Sequence, residues 1–166
     1  MVFLHGLFGS SNNWRYLSYS DSIRNKRNSV LIDLRNHGES DHHESMTYKE
    51  MADDVIRHLD KLKVEKFTLL GHSMGAKTAM HVAMKLKDRI DGLIIVDAAP
   101  KCHRDNSNIY SSTQAIIKAV SEMDLRDKTR RQAIEKFKEM FVYFFTYLYQ
   151  FFRCLEIYYF LFYFVV

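Results

Sequence analysis

Phe67-Thr68-Leu69-Leu70-Gly71-His72-Ser73-Met74-Gly75-Ala76-Lys77-Thr78-Ala79-Met80 passes from a short apolar run to a helical pattern through a single serine. Gly71 and Gly75 stand two residues to either side of Ser73, the spacing G-x-S-x-G. A serine at a sharp strand-to-helix turn needs such glycines, because the backbone passes close to its neighbours there. The helix that follows directs its first amides, Met74 foremost, toward charge developing on a substrate oxygen. At ordinary Gly and Ser frequencies the bare pentapeptide arises by chance in roughly one chain in twenty of this length. The strand before it and the helix over 74–86 after it give the motif its specificity.

Working outward, three more short apolar runs flank this segment: Val2-Phe3-Leu4, Val30-Leu31-Ile32 and Leu93-Ile94-Ile95-Val96. Each is continuously apolar, as strands buried on both faces of a parallel sheet are. Between the second and third runs, Thr47-Tyr48-Lys49-Glu50 fits a capping box with Thr47 as N-cap. Met51, Val55, Leu59 and Leu62 then recur as one apolar stripe. Past the serine, Ala76, Ala79, Met80, Ala83 and Met84 predict a closely packing helix. The alternation of strand and helix over 1–100 predicts an α/β fold with an open parallel sheet.

Two further segments leave predicted strands. His5-Gly6-Leu7-Phe8-Gly9-Ser10 is a glycine-bearing loop after the first, placed to offer a second amide to the same oxygen. Asp33-Leu34-Arg35-Asn36-His37-Gly38-Glu39-Ser40 follows the second. Asp33 and His37 precede Ser73, against the order serine, acid, histidine, so they are read as turn and hydrogen-bonding residues.

These three segments, extended to Leu4–Trp14 on one side and Met80 on the other, resemble the α/β-hydrolase superfamily. The resemblance is greatest to the branch that holds the α/β-hydrolase domain-containing protein eleven group and its small bacterial esterase relatives. It implies a serine hydrolase acting on carboxylic esters or thioesters, with small or lipid-like acyl substrates and no cofactor. Carried over, Ser73 matches the nucleophile, and Leu7 and Met74 match the donors of the oxyanion-hole amides. Asp97, after the run 93–96, stands where some relatives place the triad acid; as a cap for the turn into Ala98-Ala99-Pro100 it reads equally well.

The resemblance also implies two edge strands before residue 1 and a catalytic histidine after two further strands, so the chain reads as truncated at both ends. No histidine here matches that position. His81 lies eight residues into the elbow helix, about 12 Å along its axis. His103 follows Asp97 by six residues, in a loop where the family has no base. His72 is expected to point into the surroundings of the elbow. The alternative reading is therefore a catalytically dead fragment or pseudoenzyme.

Composition narrows the remaining classes. Lys and Arg number 24 against 20 Asp and Glu, interleaved along the chain, and no basic face of the kind that binds nucleic acid stands out. Cys102 and Cys154 form neither a disulfide framework nor a metal-ligand spacing, which suits a reducing compartment. Residues 1–5 do not make a signal peptide, and no Arg-rich transit segment precedes the fold. The implied location is intracellular, mitochondrial in the resembled relatives.

The expected organisation is a core over 1–100, a helical lid over 101–140 and an aromatic tail over 141–166. The tail holds 14 Phe or Tyr and no Gly or Pro. Arg153 and Glu156 near its centre cost about 5–7 kcal/mol against about 4–9 kcal/mol returned by its apolar residues, so a membrane contact through it is near break-even. Its density of aromatics is unlike the family's elements and reads as translated noncoding sequence.

Overall fold

The computed structural model describes residues 1–100 and parts of the segment 117–136; the expectations for His103 and the 141–166 tail, and most of the 101–140 lid, lie outside the described residues. Residues 1–100 belong to one compact unit, and the described residues of 117–136 to a second. Among the latter, Ile117, Lys118, Val120, Ser121, Arg131–Ala133, Glu135 and Lys136 are helical.

The first unit is built from β1 (Val2–Leu4), a 3-10 turn (Ser11–Trp14), α1 (Arg15–Ser18), α2 (Asp21–Arg24), β2 (Val30–Ile32), α3 (Tyr48–Lys61), β3 (Phe67–His72), α4 (Met74–Lys85), a second 3-10 turn (Lys87–Arg89) and β4 (Ile90–Val96). The four strands form one parallel sheet in the order β2-β1-β3-β4. The fold class read from the sequence is the one observed, an α/β parallel sheet with flanking helices.

Local chemistry sets the ends of α3. At α3, Thr47 Oγ1 accepts from the Glu50 amide, and the Glu50 carboxylate accepts from the Thr47 amide at 2.8 Å, closing the expected capping box. Met51, Ala52, Val55 and Leu59 are buried. Leu62 departs from the stripe: it caps the helix and is 50% exposed, because the chain turns at Lys63 (φ 53) and brings Val64 to the core instead. Met84 is also exposed, at the last turn of α4. Strand β4 begins at Ile90 rather than Leu93; a register shift beside Phe67 and Thr68 leaves Asp91 without a counterpart, and this exposed polar residue in an edge strand, only partly buried where burial on both faces was expected, hid that start.

The core gathers Val2, Leu4 and Ile32 with Leu69, α3 and α4, so the helices cover one side of the sheet. The two elbow glycines make this closeness possible. A Cβ on Gly75 would stand 2.4 Å from the His5 carbonyl oxygen and 2.5 Å from that of Leu4, and one on Gly71 would stand 2.3 Å from the Gly75 oxygen. Helix α4 thus rests directly on the backbone of β1, a distance only glycine permits.

Candidate active site

Four loops leave the carboxyl ends of β1, β2, β3 and β4, the edge of a parallel α/β sheet where ligands bind. Each holds one non-glycine residue in the left-handed region: Phe8 (φ 60), Asn36 (φ 64), Ser73 (φ 50) and Asp97 (φ 53). Backbone strain of this kind costs about 1–3 kcal/mol per residue and persists where the surroundings over-determine it. Only two other described non-glycine residues share that region, Lys63 and Asp127.

Ser73 occupies the turn from β3 into α4, with φ 50 and ψ −110. Its amide donates to the Val96 carbonyl at 2.9 Å, fixing the elbow to the end of β4. The side chain is half-buried. Met74 is the first helical residue, buried, and its N–H belongs to the helix-opening amides that have no intrahelical partner.

Leu7 lies in the loop after β1, half-buried and packed on the core. The peptide units on both sides of it are held. The Gly6 carbonyl accepts from the Gly9 amide at 3.0 Å and from His5 Nδ1 at 2.8 Å. The Phe8 amide donates to His37 Nε2 at 3.2 Å. His72 packs on the same loop: a Cβ on Gly6 would stand 2.7 Å from its Nδ1.

Asp97 follows β4 beside the elbow. Its carboxylate is 80% exposed and lies 3.8 Å from His72 Nε2. His81 does not approach this edge; its ring stacks on Tyr48, with centroids 6.2 Å apart.

Asp33 and His37 hold turns, as expected. Asp33 accepts from the amides of Ser11 (2.5 Å) and Glu39 (3.0 Å), tying the β1 and β2 loops together. Burial pushes this carboxyl up, but those amides outweigh it and hold it below its ordinary 3.8. Gly38, at φ +56, is required beside it, since a Cβ there would stand 2.2 Å from the Asp33 carboxyl carbon. Arg35, nearly buried, pairs bidentately with Asp54 of α3 at 2.5 and 3.0 Å. Sequence reasoning missed the structural part of His5 and the Arg35–Asp54 pair; the repeated His-Gly after β1 and after β2 was the available signal.

Sheet order, elbow and flanking loops define an α/β hydrolase-type scaffold. A family model described as the alpha/beta hydrolase fold matches residues 1–154. The chain is 36% identical over 135 residues to the sn-1-specific diacylglycerol lipase ABHD11 of Danio rerio, covering 81% of this chain and 43% of that protein. It is 40% identical over 135 residues to Esterase YbfF of Escherichia coli (strain K12), covering 80% and 50%. A solved marine microorganism esterase superposes with a TM-score of 0.69 at 32% identity, covering 83% of this chain and 52% of that one. The chain belongs to the α/β-hydrolase fold family, in the branch of these esterases and lipases, and spans about half the length of the curated relatives it matches.

Proposed function

We propose that the carboxyl edge of this sheet is an ester-hydrolase site with Ser73 as its nucleophile. Ser73 Oγ attacks the carbonyl of a carboxylic ester or thioester, and the amides of Leu7 and Met74 take the developing oxyanion. The alcohol or thiol leaves and water then releases the acid. Asp97 serves as the acid that would orient the imidazole of a general base and stabilise the imidazolium it becomes on taking the serine proton. The observation that carries this reading is the left-handed backbone of Ser73 at a strand-to-helix turn whose flanking glycines admit no side chain.

Attack by the serine also needs a proton acceptor within hydrogen-bond reach. Among the described residues no imidazole is hydrogen-bonded to Ser73. His5 and His37 are engaged by backbone groups, His72 lies against Asp97, and His81 lies on Tyr48. The proposed site therefore needs a proton acceptor from outside the described residues. Relatives bearing the names of an esterase and a diacylglycerol lipase support small or lipid-like acyl esters as the substrate class.

The test is hydrolysis of short-chain p-nitrophenyl esters by the chain and by Ser73→Ala, each with and without imidazole as an external base. A rate above the Ser73→Ala control in either condition supports the reading. Equal rates in both overturn it in favour of a non-catalytic relative.

A further inference from the structure

The loop bearing Leu7 is gripped by two buried or half-buried histidines that come from different directions. His5, 1% exposed, accepts from the Leu34 amide at its Nε2 (3.1 Å) and therefore donates from Nδ1 to the Gly6 carbonyl (2.8 Å). His37 accepts from the Phe8 amide at Nε2 (3.2 Å) and donates from Nδ1 to the Arg35 carbonyl (3.0 Å). The partners decide the tautomer in both rings. An amide N–H can only donate and a carbonyl can only accept, so each imidazole is neutral with its proton on Nδ1. The ring centroids lie 5.1 Å apart.

One histidine thus holds the carbonyl before Leu7 and the other the amide after it. The far end of the clamp is equally fixed, because Arg35, whose carbonyl His37 grips, is locked to Asp54 of α3. Neither ring reaches Ser73 through a hydrogen bond, and neither needs to.

We propose that His5 and His37 are positioning residues that set the direction of the Leu7 N–H by holding the peptide units on either side of it. The inference rests on the reading of Leu7 as an oxyanion donor. Its consequence is chemical, since a donor turned away from the reacting oxygen loses the advantage of preorganisation.

The two ends of His37 can be separated by substitution. In His37→Gln the amide group reaches the position of Nε2 and can still accept from Phe8. In His37→Asn it reaches only the position of Nδ1, so the Phe8 contact is lost while the Arg35 contact stays. Two measurements on the whole chain follow. Nitrogen-15 NMR at pH 7 reports the tautomers, and hydrogen exchange reports the Phe8 amide. The expected results are Nδ1–H in both rings and Phe8 exchange about tenfold faster in His37→Asn than in the wild type or His37→Gln. With imidazole present as external base, the rate at which a fluorophosphonate labels Ser73 is expected to fall roughly tenfold to a hundredfold in His37→Asn and to recover in His37→Gln.

An Nε2–H tautomer at either ring, or Phe8 exchange unchanged in His37→Asn, overturns the clamp. Faster Phe8 exchange with unchanged labelling overturns its positioning role while leaving Ser73 as nucleophile. A wild-type chain that gives the expected NMR result but no label even with imidazole added removes the hydrolase reading, and the positioning role with it.

Discussion

The amide of Ser73 donates to the carbonyl of Val96 at 2.9 Å, extending the β3–β4 ladder one step beyond the paired residues His72 and Val96. The ladder therefore grips the elbow itself. Ser73 and Asp97, side by side past the ends of two neighbouring parallel strands, both adopt left-handed backbone. The regular sheet behind them holds this strain in place.

Helix α4 can rest on β1 only while residue 75 lacks a side chain. Gly75→Ala places a Cβ against two backbone oxygens, those of His5 and Leu4, which no rotamer change can relieve. We predict a loss of about 1–3 kcal/mol in urea denaturation. Wild-type stability in this variant would contradict the close approach of α4 to β1.

His5 gives the fold a dependence on acid. Burial, the largest influence, lowers its pKa below the ordinary 6.5. The folded state thus binds its proton less readily than the unfolded chain. The His5 contribution is fully present above about pH 6.5 and is lost as pH falls from there through the folded value. Thermal denaturation is expected to fall more steeply with acid in the wild type than in His5→Gln. Parallel curves would contradict this.

The capping box of α3 supplies a second test. Thr47→Ala removes the acceptor for the Glu50 amide and should cost about 1 kcal/mol in chemical denaturation. The hydroxyl of Ser45, followed by the hydroxyl and amide of Thr47, lowers the Glu50 carboxyl from 4.5 to about 2. Its contribution is present above pH 4.5 and is lost as pH falls through about 2. A thermal midpoint lower in Thr47→Ala at neutral pH, with the gap closing in strong acid, is the expected pattern.

Much of this was legible in the sequence because the signals are local. The capping box at Thr47 and Glu50, the four apolar runs and the G-x-S-x-G turn each depend on residues within a few positions of one another. What escaped depends on contacts far apart in the chain. The pairing of Arg35 with Asp54, and the contact of the Phe8 amide with His37 across 29 positions, leave no periodicity to read. The start of β4 was hidden for a different reason: Asp91 interrupts the apolar run, and the sheet absorbs it as an irregularity in register.

The Arg35–Asp54 pair holds the β2 loop to α3. Asp54→Asn leaves a nearly buried guanidinium without its bidentate partner, at an expected cost of about 1.5–3 kcal/mol. Because the same loop carries His37, faster hydrogen exchange at Phe8 should accompany that loss. A destabilised variant with Phe8 protected as in the wild type would show that α3 does not support the loop.

The most direct test of the account is covalent. Purified chain is treated with a fluorophosphonate in the presence of imidazole as external base, digested and read by mass spectrometry, beside Ser73→Ala. An adduct is expected on the peptide containing Ser73, and on no other serine, with none in the variant. An unlabelled Ser73, or equal labelling of wild type and variant, would contradict it.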